Sequence, residues 1–288
     1  MSKEIVEDTY GDDLYDPSLY LPTGRAETVD GFENVTDAEI DRFKADGFLA
    51  IERAFSPGQI TDAVAAVEDM INGKNEKFNG KGVLFERGVK EKVLAAPEEE
   101  RKTFVRKLQK WIGFDERLDH FHLNPDLLDV LARIRGEPAK LYSTQAMQKP
   151  AHIGREKPWH QDHAYFNLPM DTEIVSVWIA LQEANHENGS MCVIPGSHLE
   201  GPVVHFRVRD WQICDTDIAR DRVVEVALQP GGILFWHGRL HHGSPANRSD
   251  KGRRSLQIHY IPESVDPDIV TQEERLAVYG SDGKDVTC

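Results

Sequence analysis

The sequence predicts a mainly β protein with flanking α-helices, in which a barrel follows a helical N-terminal portion. Two observations support this fold class. The second half of the chain contains short β-prone runs separated by Gly, Pro and Asn turn signals, and the first half contains longer patterns with helical periodicity. No helix-length pattern alternates with the strands, which argues against a parallel α/β sheet. We therefore expect an antiparallel barrel or sandwich of the jelly-roll type.

The predicted helices have recognisable starts, and three of them end at a glycine. Thr36 and Glu39 form a capping box, and a proline opens each of the other helices. In the third helix, Phe104, Leu108 and Trp111 share one face. The predicted helices run from Thr36 to Gly47, from Ser56 to Gly73, from Pro97 through Trp111 and from Asn124 to Gly136. The predicted strands are residues 141–147, 174–181, 223–228, 233–236 and 255–261.

The chain is acidic, and its composition is typical of a globular protein. Its 288 residues carry a formal charge of −15 and are 40% hydrophobic. The negative charge argues against binding to nucleic acid or to an anionic membrane, both of which depend on Lys and Arg. Residues 1–46 contain thirteen acids and four bases, so most of the excess lies outside the predicted barrel. The cysteines Cys192, Cys214 and Cys288 are too few and too scattered for a disulfide framework, and a reducing compartment is expected.

A single folded domain is expected. We predict an acidic N-terminal extension over 1–35, one domain over 36–270 with a helical part (36–137) and a barrel (138–262), and a C-terminal tail over 271–288. The N-terminus lacks the basic and apolar regions of a signal peptide, and no apolar run approaches the ~20 residues that span a bilayer. The sequence therefore predicts a soluble, cytoplasmic monomer or homo-oligomer.

Histidines in the second half are candidate metal ligands. His160 and Asp162 lie two positions apart, which places both on one side of an extended segment. The spacing alone is weak evidence, because this composition gives about two His-x-acid pairs by chance, as many as the sequence contains. We interpret the other pair, His198 and Glu200, as incidental. One more histidine would complete two histidines and one carboxylate, the donor set of a non-haem Fe(II) site.

Two later segments supply such a histidine and an anion-binding group. Residues 235–244 place three histidines within six positions, after a Pro-Gly-Gly turn. Residues 253–260 then form a predicted strand with Arg253, Ser255 and Gln257 on one face. An Arg on the inner face of a barrel strand is costly unless it meets an anion, and its planar fork suits a carboxylate.

These residues resemble the phytanoyl-CoA dioxygenase family of Fe(II)- and 2-oxoglutarate-dependent oxygenases over about residues 142–260. Arg253 follows His242 by eleven positions, as in the family pattern. The resemblance implies a double-stranded β-helix, which is a jelly-roll or cupin-like barrel. The segments that carry it are Pro158-Trp159-His160-Gln161-Asp162, Val177-Trp178-Ile179-Ala180-Leu181, Glu187-Asn188-Gly189-Ser190, Ile194-Pro195-Gly196-Ser197-His198 and His242-Gly243-Ser244.

The resemblance also implies an iron site. His160, Asp162 and His242 are the implied ligands and catalytic residues, and His241 is the rival of His242 because the local kink of the strand is not known from sequence. His237 is interpreted as a packed histidine or a neighbour of the ligands.

The co-substrate residues are likewise implied by the resemblance. Arg253 and Ser244 are expected to bind the distal carboxylate of 2-oxoglutarate, and Trp178 is expected to line its pocket. Gln145 and Gln161 are further candidates for cofactor binding, and Lys81 is a looser one. The implied cofactors are therefore Fe(II), 2-oxoglutarate and O₂.

The implied function is hydroxylation of a small organic substrate with release of succinate and CO₂. Because Asp162 is present, hydroxylation is favoured over halogenation, for which related enzymes replace the carboxylate with a small residue. Two alternatives remain: a barrel that binds metal or small molecules without turnover, and a zinc hydrolase, which would leave Arg253 without a role. Residues 73–96 and 201–221 are expected to select the substrate.

Overall fold

Two β-sheets face each other as a double-stranded β-helix, and α-helices cover the outer face of the larger sheet. This computed structural model describes residues 5–8, 14–78, 80, 82–269, 271–280 and 288. The predicted fold class, a mainly β jelly-roll barrel with flanking helices, is confirmed.

The helices in the described residues are α1 (Asp37–Asp46), α2 (Pro57–Ile71), α3 (Lys90–Ala95), α4 (Glu116–His122), α5 (Pro125–Arg135) and α6 (Gln272–Tyr279). The strands are β1 (Gly24–Arg25), β2 (Thr28–Asp30), β3 (Phe48–Glu52), β4 (Val83–Phe85), β5 (Val105–Gln109), β6 (Ala139–Lys149), β7 (Lys157–His160), β8 (Val175–Ala180), β9 (Met191–Val193), β10 (His205–Arg207), β11 (Trp211–Ile213), β12 (Val224–Val226), β13 (Ile233–His237), β14 (His242–Ser244) and β15 (Arg253–Pro262).

The order of the strands in the sheets determines which side chains meet inside the barrel. The larger sheet has the order β2-β3-β13-β8-β15-β6-β5-β4, and the smaller sheet has the order β1-β12-β9-β14-β7. Pairing is antiparallel except where β1 joins β12 and β2 joins β3. Strands β10 and β11 form a separate hairpin. The predicted strands correspond to β6, β8, β12, β13 and β15.

Alternation along the central strands divides the protein into an apolar outer layer and a barrel interior. On β15, Leu256, Ile258 and Tyr260 join the core cluster beneath the helices. Arg253 and Gln257, on the opposite face, line the cavity inside the barrel. The sequence pattern had placed these two groups on opposite faces, and the structure agrees because a strand turns alternate side chains to opposite sides.

One predicted helix is wrong, and the first half contributes strands as well as helices. Residues 98–104 form a 3₁₀ helix, and residues 105–109 of the expected third helix form strand β5. Its backbone pairs with both β4 and β6, so tertiary pairing overrides the helical pattern of Phe104, Leu108 and Trp111. Residues 24–30, assigned by sequence to the N-terminal extension, pair with both sheets as β1 and β2.

The cysteines also differ from expectation. The sequence indicated no disulfide framework, yet Cys214 and Cys288 form one disulfide, and Cys192 is buried and free. Their sequence separation of 74 residues gave no pairing signal, because only the fold brings the two segments together. Among the described helices, none has the length and apolar character needed to cross a membrane.

The glycine that ends α1 gives a first testable prediction. Gly47 has φ +84°, and a Cβ there would lie 2.4 Å from Nδ1 of His198. The His198 ring cannot easily move, because its Nε2 is 3.1 Å from the Lys44 carbonyl. Gly136 ends α5 with φ +74°, but nothing lies within 4 Å of its Cβ position. We expect Gly136→Ala to lower the free energy of unfolding by about 1–2 kcal/mol, the cost of a left-handed residue.

For Gly47→Ala we expect that same cost and a further ~1–3 kcal/mol from overpacking. Urea unfolding of the two variants against the parent chain measures the difference. Equal losses in the two variants would show that the His198 contact is not a constraint.

Candidate active site

Three side chains converge at the end of the barrel where β7 and β14 pair. His160 ends β7, and Asp162 follows it in a short 3₁₀ turn. His242 begins β14 and is the direct cross-strand partner of His160. One ligand atom from each of these residues lies within 4.8 Å of the others, and all three residues are buried.

The hydrogen bonds of the two histidines orient their rings toward Asp162. Nδ1 of His160 lies 2.8 Å from the Pro158 carbonyl, and Nδ1 of His242 lies 2.9 Å from the Leu240 carbonyl. Since a carbonyl only accepts, each Nδ1 carries a proton and donates it, so Nε2 is the nitrogen that each ring can offer to a metal ion. Both Nε2 atoms are 3.5 Å from Oδ1 of Asp162.

The electrostatics of this triad favour a cation at its centre. Burial lowers the pKa of His160 to about 4, so the ring is neutral and able to ligate. Burial opposes ionisation of Asp162, but the imidazoles of His242 and His160 hold the pKa of the carboxyl well below its usual range. Two imidazoles and one carboxylate are the donor set of non-haem Fe(II) sites, so these residues fit that ion.

Arg253 projects into the same cavity, where the guanidinium is buried. Nε and Nη2 donate to the Gly189 carbonyl at 3.1 and 2.7 Å, and the group lies 5.3 Å from the Trp178 ring centre. Among the residues that the structure describes, no carboxylate pairs with it. Burial, together with the charge of Arg106, lowers its pKa to about 10. Nη1 donates a longer hydrogen bond to the Ser255 hydroxyl, at 3.5 Å. A buried cation held only by neutral groups suits a carboxylate ligand such as 2-oxoglutarate.

A lysine that the sequence analysis did not identify holds Ser244 beside this cation. Nζ of Lys149 donates to the Ser244 hydroxyl at 2.7 Å and also to the Ser244 and Pro245 carbonyls. Because the hydroxyl oxygen accepts from Lys149, its own hydrogen is available to donate into the cavity. Lys149 is the direct partner of Arg253 in the β15–β6 pairing, and it lies on the same face of β6 as Gln145. The two-residue period of a strand could therefore have indicated Lys149 from the position of Gln145.

The structure places most of the predicted co-substrate residues in the cavity, but not Gln161. Trp178, Ser244 and Gln145 line the cavity together with Arg253. Gln161 does not, because it lies between two ligands that face the other way. Its amide donates to the Gly201 and Arg239 carbonyls and accepts from Val203 N–H, so it is buried in the wall. Gln161 therefore does not line the cavity, and its assignment to cofactor binding stays a prediction. Lys81 lies outside the described residues.

The other histidines named by the sequence lie outside the triad. His241 is buried next to His242, and its backbone N–H donates to the Ser197 hydroxyl. The rings of His237 and His198 pack against each other at a tilt of 46°, with ring centres 5.1 Å apart. Glu200 pairs with Arg222 at 2.6 Å, as expected for an incidental His-x-acid pair.

The mouth of the cavity is more highly charged than the sequence indicated. Lys107 and Arg106 of β5 face Asp8 from the N-terminal segment, at 3.5 and 2.9 Å. Nζ of Lys157 pairs with Asp210 at 2.5 Å. Asp210 belongs to the 201–221 segment, so this predicted selectivity loop does reach the cavity. No sequence signal joins Asp8 to this site, because its position depends on pairing with Phe85 of β4.

Comparison with known proteins gives a family match that covers most of the barrel. The model of the phytanoyl-CoA dioxygenase (PhyH) family matches residues 43–255. A probable phytanoyl-CoA dioxygenase of Caenorhabditis elegans is 29% identical over 193 residues, which are 57% of this chain and 61% of that protein. The peroxisomal phytanoyl-CoA dioxygenase of Rattus norvegicus is 26% identical over 257 residues, which are 85% of this chain and 73% of that protein. The match to the nematode protein thus spans less than two thirds of its length.

A solved structure supports the fold independently. SnoK, a non-haem α-ketoglutarate-dependent carbocyclase from nogalamycin biosynthesis, superimposes with a TM-score of 0.65 at 22% identity. The superposition covers 89% of this chain and 92% of SnoK. At this identity the likeness establishes the shared barrel and not the reaction.

Proposed function

The chain belongs to the phytanoyl-CoA dioxygenase family of Fe(II)- and 2-oxoglutarate-dependent oxygenases, and we propose that it hydroxylates a small, polar organic substrate. Succinate and CO₂ are the proposed co-products. The observation that supports this most strongly is that the buried triad and Arg253 line one cavity. A metal site and an anion clamp in the same cavity are what a metal-dependent enzyme with a dicarboxylate co-substrate requires.

The chain's own residues bind and orient the reactants. His160, Asp162 and His242 would hold Fe(II), which supplies, together with 2-oxoglutarate and O₂, the oxidising chemistry of the family. Arg253 and the Ser244 hydroxyl would bind the distal carboxylate, and Trp178 forms the wall against which that end packs. The burial of these groups excludes water and strengthens their interaction with a charged ligand.

The size of the cavity supports a small substrate that enters from the mouth. Its volume is about 150 Å³, room for roughly ten waters at ~10–15 Å³ each. One 2-oxoglutarate molecule has a comparable size, so the primary substrate would lie toward Lys107, Lys157, Asp8 and Asp210 at the mouth. The charges there favour a polar or ionised substrate over a purely apolar one.

Two rival functions give different outcomes in one experiment. A zinc hydrolase would use the triad without oxygen and gives Arg253 no role, and a non-catalytic barrel would bind metal or small molecules without turnover. We expect the anaerobic protein, loaded with Fe(II), to develop a metal-to-ligand absorption band when 2-oxoglutarate is added. Admission of O₂ should then yield succinate, and a true substrate should gain one oxygen atom by mass spectrometry.

A screen of small polar metabolites for stimulated succinate release would then define the substrate. The absence of both the absorption band and succinate would overturn the oxygenase proposal. A product that lacks the added oxygen would leave the oxygenase class intact and overturn hydroxylation.

A further inference from the structure

The two carboxylate oxygens of Asp162 lie in different environments. Oδ1 faces the Nε2 atoms of His160 and His242, at 3.5 Å from each. Oδ2 faces the opposite way and accepts from the Ser176 hydroxyl at 2.6 Å and from Nε1 of Trp236 at 3.0 Å. One oxygen is therefore directed at the ligand nitrogens, and two donors occupy the other.

The donors of Oδ2 belong to one row across the larger sheet. Trp236 of β13 and His259 of β15 are both direct cross-strand partners of Ser176 on β8. The three residues are buried, and their side chains point into the barrel interior. Because their strands are neighbours in the sheet, the three side chains lie side by side. The register of three strands, distant in sequence, thus places them behind Asp162.

The hydrogen bonds along this row have a definite direction. The ionised Asp162 can only accept hydrogen bonds, so the Ser176 hydroxyl donates its one hydrogen to Oδ2. Nδ1 of His259 lies 2.8 Å from the Ser176 oxygen and must therefore donate to it. Nε2 of His259 then accepts from the amide of Gln257 at 3.3 Å, and Gln257 lines the cavity. A continuous chain of donors runs from the cavity wall to the ligand.

We propose that Ser176, Trp236 and His259 are positioning residues that hold Asp162 as a one-oxygen ligand. A carboxylate that rotated to ligate through both oxygens would leave the buried Ser176 and Trp236 donors unsatisfied, which is costly. The row therefore keeps a further metal position open for the co-substrates. The inference rests on the proposed function for the identity of the metal, but its test needs neither 2-oxoglutarate nor turnover.

The test measures Co(II) binding to the metal-free full-length protein. Visible absorption of Co(II) reports coordination number, and competition with a chelator gives affinity. We expect Ser176→Ala and Trp236→Phe each to weaken Co(II) binding ~10–100-fold, the usual effect of removing a partner of a metal ligand. Both should also shift the Co(II) spectrum toward higher coordination number. Ser190→Ala is the matched control, because this buried serine bonds Glu225 instead, and it should leave affinity and spectrum unchanged.

Two further comparisons separate positioning from general structural damage. His259→Asn retains an N–H donor near Nδ1 and should preserve the spectrum, whereas His259→Phe should change it. The double variant of Ser176 and Trp236 should depart from the product of the two single effects, because independent sites would simply multiply. Unaltered affinity and spectrum in Ser176→Ala and Trp236→Phe would overturn the proposal. A parent protein that binds no Co(II) would instead overturn the metal centre itself.

Discussion

His242→Ala should abolish metal-dependent turnover, whereas His241→Ala should leave it largely intact. Of these two rings, only that of His242 directs Nε2 toward Asp162, at 3.5 Å from Oδ1, because its Nδ1 is held by the Leu240 carbonyl. His241 lies outside the triad, so its removal costs packing alone. We expect His242→Ala to weaken Co(II) or Fe(II) binding more than about 100-fold. Removing a residue that only hydrogen-bonds to a metal ligand already lowers metal affinity about 10–100-fold, and removing the ligand itself should cost more.

The measurement is a chelator competition for metal affinity, followed by succinate release from 2-oxoglutarate. Thermal unfolding of both variants checks that each is folded. If His241→Ala lost metal and His242→Ala kept it, the histidine that sequence analysis named as the rival would be the ligand.

Arg253→Ala should weaken 2-oxoglutarate binding with little effect on metal affinity. The guanidinium is fixed by Gly189 and Trp178, and no carboxylate among the described residues neutralises it. Removing one partner of a buried charge pair costs about 2–5 kcal/mol, which corresponds to a loss of roughly 30-fold to a few thousand-fold in affinity. Arg253→Lys keeps the charge but not the two-pronged geometry, so we expect an intermediate loss.

The neighbouring residue provides a matched control. Arg254 points to the other face of β15 and pairs with Glu68 at 2.5 Å, away from the cavity. Arg254→Ala should therefore leave 2-oxoglutarate affinity unchanged. Titration of the anaerobic Fe(II) absorption band measures all three variants. An unchanged affinity in Arg253→Ala would mean that another cation of the cavity, such as Lys107, binds the co-substrate.

Local patterns in the sequence predicted several elements correctly, for identifiable reasons. The capping box of Thr36 and Glu39 is formed as predicted, because both partners lie within one turn. Alternation placed Arg253 and Leu256 on opposite faces of β15, since the two-residue period depends only on an extended backbone. Resemblance to a family then supplied what spacing could not, namely which histidine completes the pair of His160 and Asp162.

The failures involve contacts between distant segments. Residues 105–109 have a helical pattern but form a strand, because their backbone pairs with β4 on one side and β6 on the other. Gln161 was expected in the site because it lies between His160 and Asp162, yet its amide is hydrogen-bonded to the backbone outside the cavity. Asp8 reaches the mouth of the cavity only through pairing with β4.

The sequence by itself determined the fold class and the residues that present two imidazoles, a carboxylate and an arginine. Only the tertiary structure decided how these groups are oriented. The alignment of Trp236, Ser176 and His259 behind Asp162, and that of Lys149 behind Ser244, arise from strand register. The physical reason is that side-chain period is a local property of the backbone, whereas register is set by pairing between strands far apart in the chain.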